Sequence, residues 1–234
     1  MLNVVCVKWG TKYSSEYVNR LETMIKRNLT VPFQMYCYTD DSFDINRSIE
    51  TIPICKEDDL ETYWNKLAIF KLFKGKCIYL DLDTVIQNNI DDIVNYTNKL
   101  TGVYTYWNDV KTDGNFPFAT LKWKVPFNSS VLAWNAEDYY WVWDKFMQDR
   151  DWNIIKYYGD DKFLGNEVQH KNTFPQDWIY SRLYGRKEND TPTEIVKIHE
   201  GYHEGWYYFS DCKFCLFNGP TEDIHYKGFE KYWS

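Results

Sequence analysis

Apolar positions along this chain fall into short continuous runs, broken by one clear helical stripe and by polar connections. Leu2 to Val7 is an unbroken apolar run closed by Trp9-Gly10-Thr11, which reads as a buried strand entering a turn. Ser14 or Ser15 can cap the helix that follows, because Tyr17, Val18, Leu21, Met24 and Ile25 recur at helical spacing. Phe33 to Tyr38 is a second strand, ending in Thr39-Asp40-Asp41. After a polar connection, Thr62 or Tyr63 opens a second helix carrying Leu67, Ile69, Phe70, Leu72 and Phe73, stopped by Lys74-Gly75. The apolar run Cys77-Ile78-Tyr79-Leu80 follows at once and leads into Asp81-Leu82-Asp83-Thr84-Val85-Ile86. Strand, helix and strand in this order predict an α/β fold, with a mostly parallel central sheet flanked by helices.

The second half is less regular. Phe127 to Trp134 reads as a strand entered through polar residues, and Ala136 to Met147 as an aromatic-rich helix. Gly159-Asp160-Asp161 precedes Phe163-Leu164 and reads as a helix start, where acidic residues suit the partial positive charge of the first turn. Lys213 to Phe217 is a late strand, followed by Asn218-Gly219-Pro220 and a polar, aromatic tail. No repeat, low-complexity tract or linker divides the chain, so residues 1–234 are expected to form a single domain.

Composition narrows the partners. The net charge of −7 argues against a nucleic-acid partner or an anionic membrane surface. A site for an anionic ligand would then need local positive charge from a metal, a lysine or a helix N-terminus. The abundant aromatics (Trp 11, Tyr 20, Phe 14) fit a bulky core, and some of them can line a sugar or base site. Six cysteines sit mostly in apolar runs, and Cys212-x-x-Cys215 lacks the second pair a zinc ribbon needs. Buried free thiols in a reducing cytoplasm are the expectation. Neither a signal-peptide pattern nor an apolar stretch long enough to span a bilayer is visible, which also leads to a cytoplasmic expectation.

The chemistry concentrates at Asp81-Leu82-Asp83. In extended chain, side chains two apart share a face, so both carboxylates are expected to point together while Leu82 points into the core. Like charges held side by side need a cation or a shared proton, and hard oxygen ligands suit Mg²⁺ or Mn²⁺. The plain alternative is a solvated turn, which the apolar runs on both sides disfavour. Ligands of parallel sheets bind beyond the carboxyl ends of the strands, the edge where Asp81, Asp83, Gly10 and Thr39 to Asp41 fall.

Thr62 to Ile93 resembles the glycosyltransferases of the GT-A fold, closest to family 8, the glycogenin and galactosyltransferase-like group, and the opening Val7-Lys8-Trp9-Gly10-x-x-Tyr13 with its helix is similar to small phage and bacterial members of the wider superfamily. Lys66-Leu67, the strand, Asp81-Leu82-Asp83 and Asn89-Ile90-Asp91-Asp92-Ile93 stand in that family's order. Phe127-Asn128-Ser129-Ser130-Val131 is similar to its Phe-Asn-Ser-Gly-Val element, and Gly159-Asp160-Asp161 to its Gly-Asp-Gln element. The resemblance implies a metal-dependent glycosyltransferase that moves a sugar from a nucleotide-sugar donor, most often a UDP-sugar, to a glycan or other hydroxyl acceptor. It implies that Asp81 and Asp83 hold Mn²⁺ or Mg²⁺ against the donor diphosphate, with Leu82 between them. Lys66 would approach the phosphates or sugar, its plain alternative being an exposed helix lysine. Gly10, Thr11, Tyr13 and Asp40 would border the nucleoside, with Tyr13 stacked on the base. Asn128, Ser129 and Asp160 would face the sugar, and Lys231 would reach the diphosphate. Asp161 replaces the family's glutamine, and a carboxylate there can act as base or nucleophile, so the stereochemical outcome stays open. The third metal ligand is expected at His225, in His225-x-x-Gly228-x-x-Lys231-Tyr232-Trp233, with Asn218 as the alternative.

Two rival readings remain. A haloacid-dehalogenase-type phosphatase also places Asp-x-Asp after an apolar strand, but that strand normally opens the domain. A non-catalytic nucleotide- or glycan-binding protein would not need the intact pair of carboxylates.

Overall fold

The alternation of side chains along the first strand sets up a sheet that buries both faces. The computed structural model describes residues 1–105, 126–186, 192, 194–196, 206–217 and 229–233. Strand β1 (Leu2–Lys8), helix α1 (Ser15–Asn28), strand β2 (Phe33–Thr39) and strand β3 (Glu50–Pro53) open the chain. Leu2, Val4 and Cys6 of β1 pack to one side, with Val18, Leu21, Met24 and Ile25 of α1. Val5 and Val7 pack to the other. Strand β3 lies in the polar connection and escapes the sequence pattern because it is an edge strand with no buried residue.

The second predicted helix has a different winding. Thr62–Ala68 forms a 3-10 helix, and only Ile69–Leu72 is α-helical (α2). In a 3-10 turn residues three apart eclipse each other, so Tyr63 and Lys66 stack on one face. Trp64, Leu67 and Phe70 are buried against the sheet.

Strand β4 (Lys76–Leu80), strand β5 (Thr84–Ile86), strand β6 (Thr101–Val103) and strand β7 (Asn128–Asn135) follow. A 3-10 turn over Ala136–Asp138 and helix α3 (Tyr140–Gln148) replace the single predicted helix. Then come α4 (Arg150–Tyr157), α5 (Asp160–Glu167), β8 (Asn172–Thr173), β9 (Ile179–Ser181), β10 (Glu194–Val196), β11 (Trp206–Tyr208), β12 (Phe214–Leu216) and α6 (Glu230–Trp233). Among the described residues the main sheet has the order β3-β2-β1-β4-β7-β6-β8. Its first four strands are mutually parallel, and β7 runs antiparallel to both β4 and β6. The late strand β12 joins β5 and β9 in a separate sheet.

This is the expected α/β architecture with a mixed, mostly parallel sheet. The Asp-x-Asp strand β4 is central and lies beside β1, with a complete strand-helix-strand unit ahead of it, which is not how the phosphatase reading opens its domain. All six cysteines are free thiols, and burial pushes Cys212 and Cys215 up to about 12. Among the described residues no helix is long and apolar enough to cross a membrane.

Candidate active site

Strand β4 ends at Leu80, and the chain reverses at once. Asp81 donates its N–H to the Ser130 carbonyl at 2.8 Å, extending the pairing with β7, and Thr84 donates to the Asp81 carbonyl at 3.1 Å. Asp81-Leu82-Asp83 is therefore a tight turn between β4 and β5, not extended strand. The alternation argument is corrected on this point: a turn, not the period of a strand, brings both carboxylates to one cavity. Leu82 packs into the core as expected, 3% exposed.

Lys66 ties the site together. Its Nζ lies 3.0 Å from Asp81 Oδ1 and 3.2 Å from Asp160 Oδ2, and it donates to Ser129 Oγ at 3.1 Å. Ser129 in turn donates to Asp160 Oδ2 at 2.5 Å. The Tyr79 hydroxyl donates to Asp81 Oδ1 at 2.6 Å, with the Lys66 ammonium 4.9 Å from the centre of the Tyr79 ring. Lys66 is 6% exposed, so the solvated-lysine alternative does not describe it. Burial alone would lower its pKa, but the facing carboxylates of Asp160 and Asp81 outweigh burial and raise it. The ammonium therefore stays charged. Burial and the neighbouring Asp81 also push the Tyr79 phenol well up, so it remains a hydrogen-bond donor.

The second carboxylate of the turn has a different partner. Tyr13 donates its hydroxyl to Asp83 Oδ2 at 2.8 Å. Burial, then Asp81, push the Asp83 carboxyl up to about 6, against the pull of Tyr13 and Lys12. At the end of β1, Gly10 takes a left-handed φ of 59° and donates its N–H to Asp40 Oδ2 at 2.8 Å. This bond joins the edges of β1 and β2 beside the cavity.

Asp160 and Asp161 open α5. Gly159 precedes them, and a Cβ on it would lie 2.7 Å from Asp161 Oδ1, so a side chain there would displace the Asp161 carboxylate. Asp161 Oδ1 accepts the Lys162 N–H at 2.8 Å. Burial, then Asp160, push Asp161 up to about 6. Opposite, the Tyr63 hydroxyl donates to the Tyr158 carbonyl at 2.9 Å.

These groups surround a cavity of about 320 Å³ at the carboxyl edge of β1 and β4. Its wall holds Asp81, Asp83, Asp160 and Asp161 against Lys12 and Lys66, a formal excess of two negative charges when every carboxylate is ionised. A diphosphate entering such a cavity meets repulsion unless a cation accompanies it. Asp81 and Asp83 fit a divalent ion: both offer hard oxygens, and burial and the neighbouring Asp81 hold Asp83 above the ordinary carboxylate range. Among the described residues no third His, Cys, Asp or Glu completes a metal-holding cluster with them. His225 and Asn218 lie outside the described residues.

Of the residues singled out in the sequence, Tyr13, Lys66, Asp81, Leu82, Asp83, Asn128, Ser129, Asp160 and Asp161 line the cavity together. Gly10, Thr11 and Asp40 are exposed and outside the lining, Gly10 and Thr11 lying between the lining residues Trp9 and Lys12. Lys231 is not brought to the cavity; it is exposed on α6, its ammonium 4.6 Å from the Tyr232 ring centre. Sequence reasoning missed Trp9, Lys12, Tyr63, Tyr79 and Tyr158. Tyr79 had a readable signal, since it sits near the end of β4, two positions before Asp81. Tyr63 sits three before Lys66, and the 3-10 turn eclipses the two.

No family model matches the chain, and no curated protein matches it either. Solved structures do. The galactosyltransferase LgtC, in complex with donor and acceptor sugar analogues, aligns over 98% of this chain and 93% of its own at 12% identity, with a TM-score of 0.65. An active-site variant of LgtC aligns over 97% of this chain and 94% of its own at 11% identity, with a TM-score of 0.62. The glycosyltransferase GlyE from Streptococcus pneumoniae aligns over 78% of this chain but only 48% of its own, at 14% identity and a TM-score of 0.55. The chain therefore shares the GT-A-type fold of these proteins.

Proposed function

We propose that this protein is a glycosyltransferase that moves a sugar from a nucleotide diphospho-sugar to a hydroxyl acceptor. The observation that carries the reading is one cavity, on a fold shared with LgtC, that gathers Asp81, Asp83, Lys66, Asp160 and Asp161 at the carboxyl ends of β1 and β4. A divalent ion such as Mn²⁺ or Mg²⁺ held by Asp81 and Asp83 would supply Lewis-acid stabilisation of the departing diphosphate.

The chain's own residues do the rest. Lys66, already charged and fixed by Asp81, Asp160 and Ser129, adds a positive group beside the phosphates or the sugar without reorganising. Asp160 is held by Ser129 and Lys66, so its carboxylate keeps one orientation towards the sugar. Asp161 takes the proton of the acceptor hydroxyl as the acceptor oxygen bonds to the anomeric carbon and the sugar–phosphate bond breaks, its electron pair leaving with the diphosphate. A carboxyl near 6 suits that transfer around neutral pH. Gly10, Tyr13 and Asp40 border the nucleoside, and UDP is the donor nucleotide we favour.

A thermal-shift panel of nucleotide sugars with and without Mn²⁺ tests this directly, because a ligand that binds the folded state raises its midpoint with concentration. At least one nucleotide sugar should stabilise the protein, and more strongly with the ion. Indifference to every nucleotide sugar, or release of phosphate from phenyl phosphate instead, would overturn the reading.

A further inference from the structure

Both carboxylates of the Asp-x-Asp turn carry a tyrosine hydroxyl, and the two hydroxyls come from different segments. Tyr79, on β4, donates to Asp81 Oδ1 at 2.6 Å; Tyr13, between β1 and α1, donates to Asp83 Oδ2 at 2.8 Å. A hydrogen bond to an ionised acceptor is roughly twice as strong as a neutral one, so each phenol fixes the carboxylate oxygen it meets. The rings are themselves held. Tyr79 is buried, and the Lys66 ammonium lies over its face, 4.9 Å from the ring centre. Tyr13 packs edge-on against Tyr17 of α1, with 5.0 Å between ring centres, and has the Lys12 ammonium 4.9 Å from its own centre.

The consequence is a division of oxygens. Asp81 Oδ1 meets both Tyr79 and Lys66, at 2.6 and 3.0 Å, while Asp81 Oδ2 accepts no hydrogen bond among the described residues. Asp83 Oδ2 meets Tyr13, while Asp83 Oδ1 accepts none from any other described residue. Each carboxylate therefore brings one committed and one open oxygen to the cavity that both residues line. Divalent ions differ in what they accept. Ca²⁺ takes about six to eight oxygens in flexible geometry, including both oxygens of one carboxylate. Mg²⁺ demands a near-ideal octahedron, usually built from one or two carboxylates with phosphate and water, and Mn²⁺ suits the same hard oxygens.

We infer that Tyr13 and Tyr79 set the ion preference of the site: by leaving Asp81 and Asp83 one open oxygen each, they favour Mn²⁺ or Mg²⁺ over Ca²⁺. This rests on the transferase reading. Both tyrosines act through the carboxylates and are positioning residues. Tyr13 is the stronger determinant, because no other described residue donates to Asp83 Oδ2, whereas Lys66 keeps Asp81 Oδ1 occupied without Tyr79. A phenol that only satisfied its own hydroxyl would be indifferent to which ion binds.

Calorimetric titration with uridine diphosphate, once in Mn²⁺ and once in Ca²⁺, tests this on the wild type, Tyr13→Phe and Tyr79→Phe. The variants keep their rings and lose only a hydroxyl, so each should still melt cooperatively, and the wild-type ratio is read without any variant. The wild type should bind the nucleotide at least about tenfold tighter in Mn²⁺ than in Ca²⁺. Tyr13→Phe should weaken binding in Mn²⁺ by about tenfold, the scale of a lost outer partner of a metal ligand, and leave binding in Ca²⁺ unchanged or tighter. Tyr79→Phe should shift the ratio the same way by less. An equal loss in both ions for Tyr13→Phe would overturn the inference and assign that hydroxyl to the nucleoside or the fold. Wild type that binds uridine diphosphate without preference between the ions also overturns the inference, and leaves the transferase reading standing. Wild type that binds none in either ion removes the transferase reading, and the inference with it.

Discussion

Asp81 and Asp160 lie within 3.2 Å of one buried ammonium, whereas Asp83 and Asp161 line the same cavity with carboxyls pushed up to about 6. The first pair is compensated inside the protein by Lys66, Ser129 and Tyr79. The second pair accepts hydrogen bonds from Tyr13 and from the Lys162 N–H, while burial and the neighbouring Asp81 and Asp160 push both carboxyls up. Lys66 and its neighbours fix Asp81 and Asp160 in place, which in the proposed reading positions Asp81 beside Asp83 for a cation, while Asp161 is free to take a proton. In the proposed reading the cavity joins a fixed frame to carboxyls with raised pKa, as expected of a site that binds charge which the protein does not itself carry.

The largest expected effect strikes a reactive carboxylate. Asp83→Asn removes a charged ligand, so nucleotide and Mn²⁺ should no longer strengthen each other's binding, and transfer should fall by roughly 10³ or more, the scale of a lost charge stabiliser. Titration calorimetry of uridine diphosphate with and without Mn²⁺ reads the coupling. Near-normal coupling would remove Asp83 from the metal site.

Lys66→Ala strikes the frame and should cost both activity and stability. It leaves Asp81 and Asp160 facing each other without their ammonium, and breaking a buried ion pair destabilises by roughly 3–5 kcal/mol. An exposed helix lysine would cost almost nothing, so denaturant melts decide between the two. A stable Lys66→Ala protein would mean the network does not hold the site.

Asp161→Asn should change the pH dependence as well as the rate. Transfer by the wild type should rise as pH passes through about 6, where Asp161 ionises, and the variant should lose that limb along with roughly 10²–10⁴ in rate. Stability carries the opposite sign. A carboxyl raised above its unfolded value favours the folded state below about pH 4, and that contribution is lost as pH rises through 6. The asparagine variant should therefore gain stability relative to wild type above pH 6 and match it near pH 4. A constant difference in melting midpoint would show that Asp161 does not titrate in this range.

Ser129→Ala should have a smaller effect, about tenfold in turnover, because Lys66 still reaches Asp160 directly. Lys231→Ala should have the least effect: its side chain is exposed and outside the cavity wall, so donor affinity is expected to stay within twofold. A large loss of donor binding in that variant would place the C-terminal segment at the diphosphate after all.

Much of this was legible in the chain. Periodicity located β1, α1, β2 and β4, because buried faces impose spacing on the residues that fill them. The Asp-x-Asp position and the sheet edge it occupies followed from that order. Where the signal weakened, the reasons were physical. β3 is an edge strand without a buried face, and β12 leaves the main sheet altogether. The 3-10 winding of Thr62–Ala68 looks helical in any apolar pattern, yet it eclipses Tyr63 and Lys66 instead of staggering them as an α-helix would.

By itself the sequence determined the α/β class, the parallel opening unit and two acidic clusters at helix or strand ends. Those are local matters, set by propensity, alternation and the residues that stop each element. The tertiary structure decided which charges answer each other. Lys66, Asp81, Ser129 and Asp160 come from four separate segments, and nothing in their spacing says that one ammonium will sit between two carboxylates. It also turned the Asp-x-Asp into a reversal and placed Tyr13 on Asp83. Short-range order can be written into neighbouring residues; the electrostatics of a cavity exist only once distant segments are packed together and water is excluded between them.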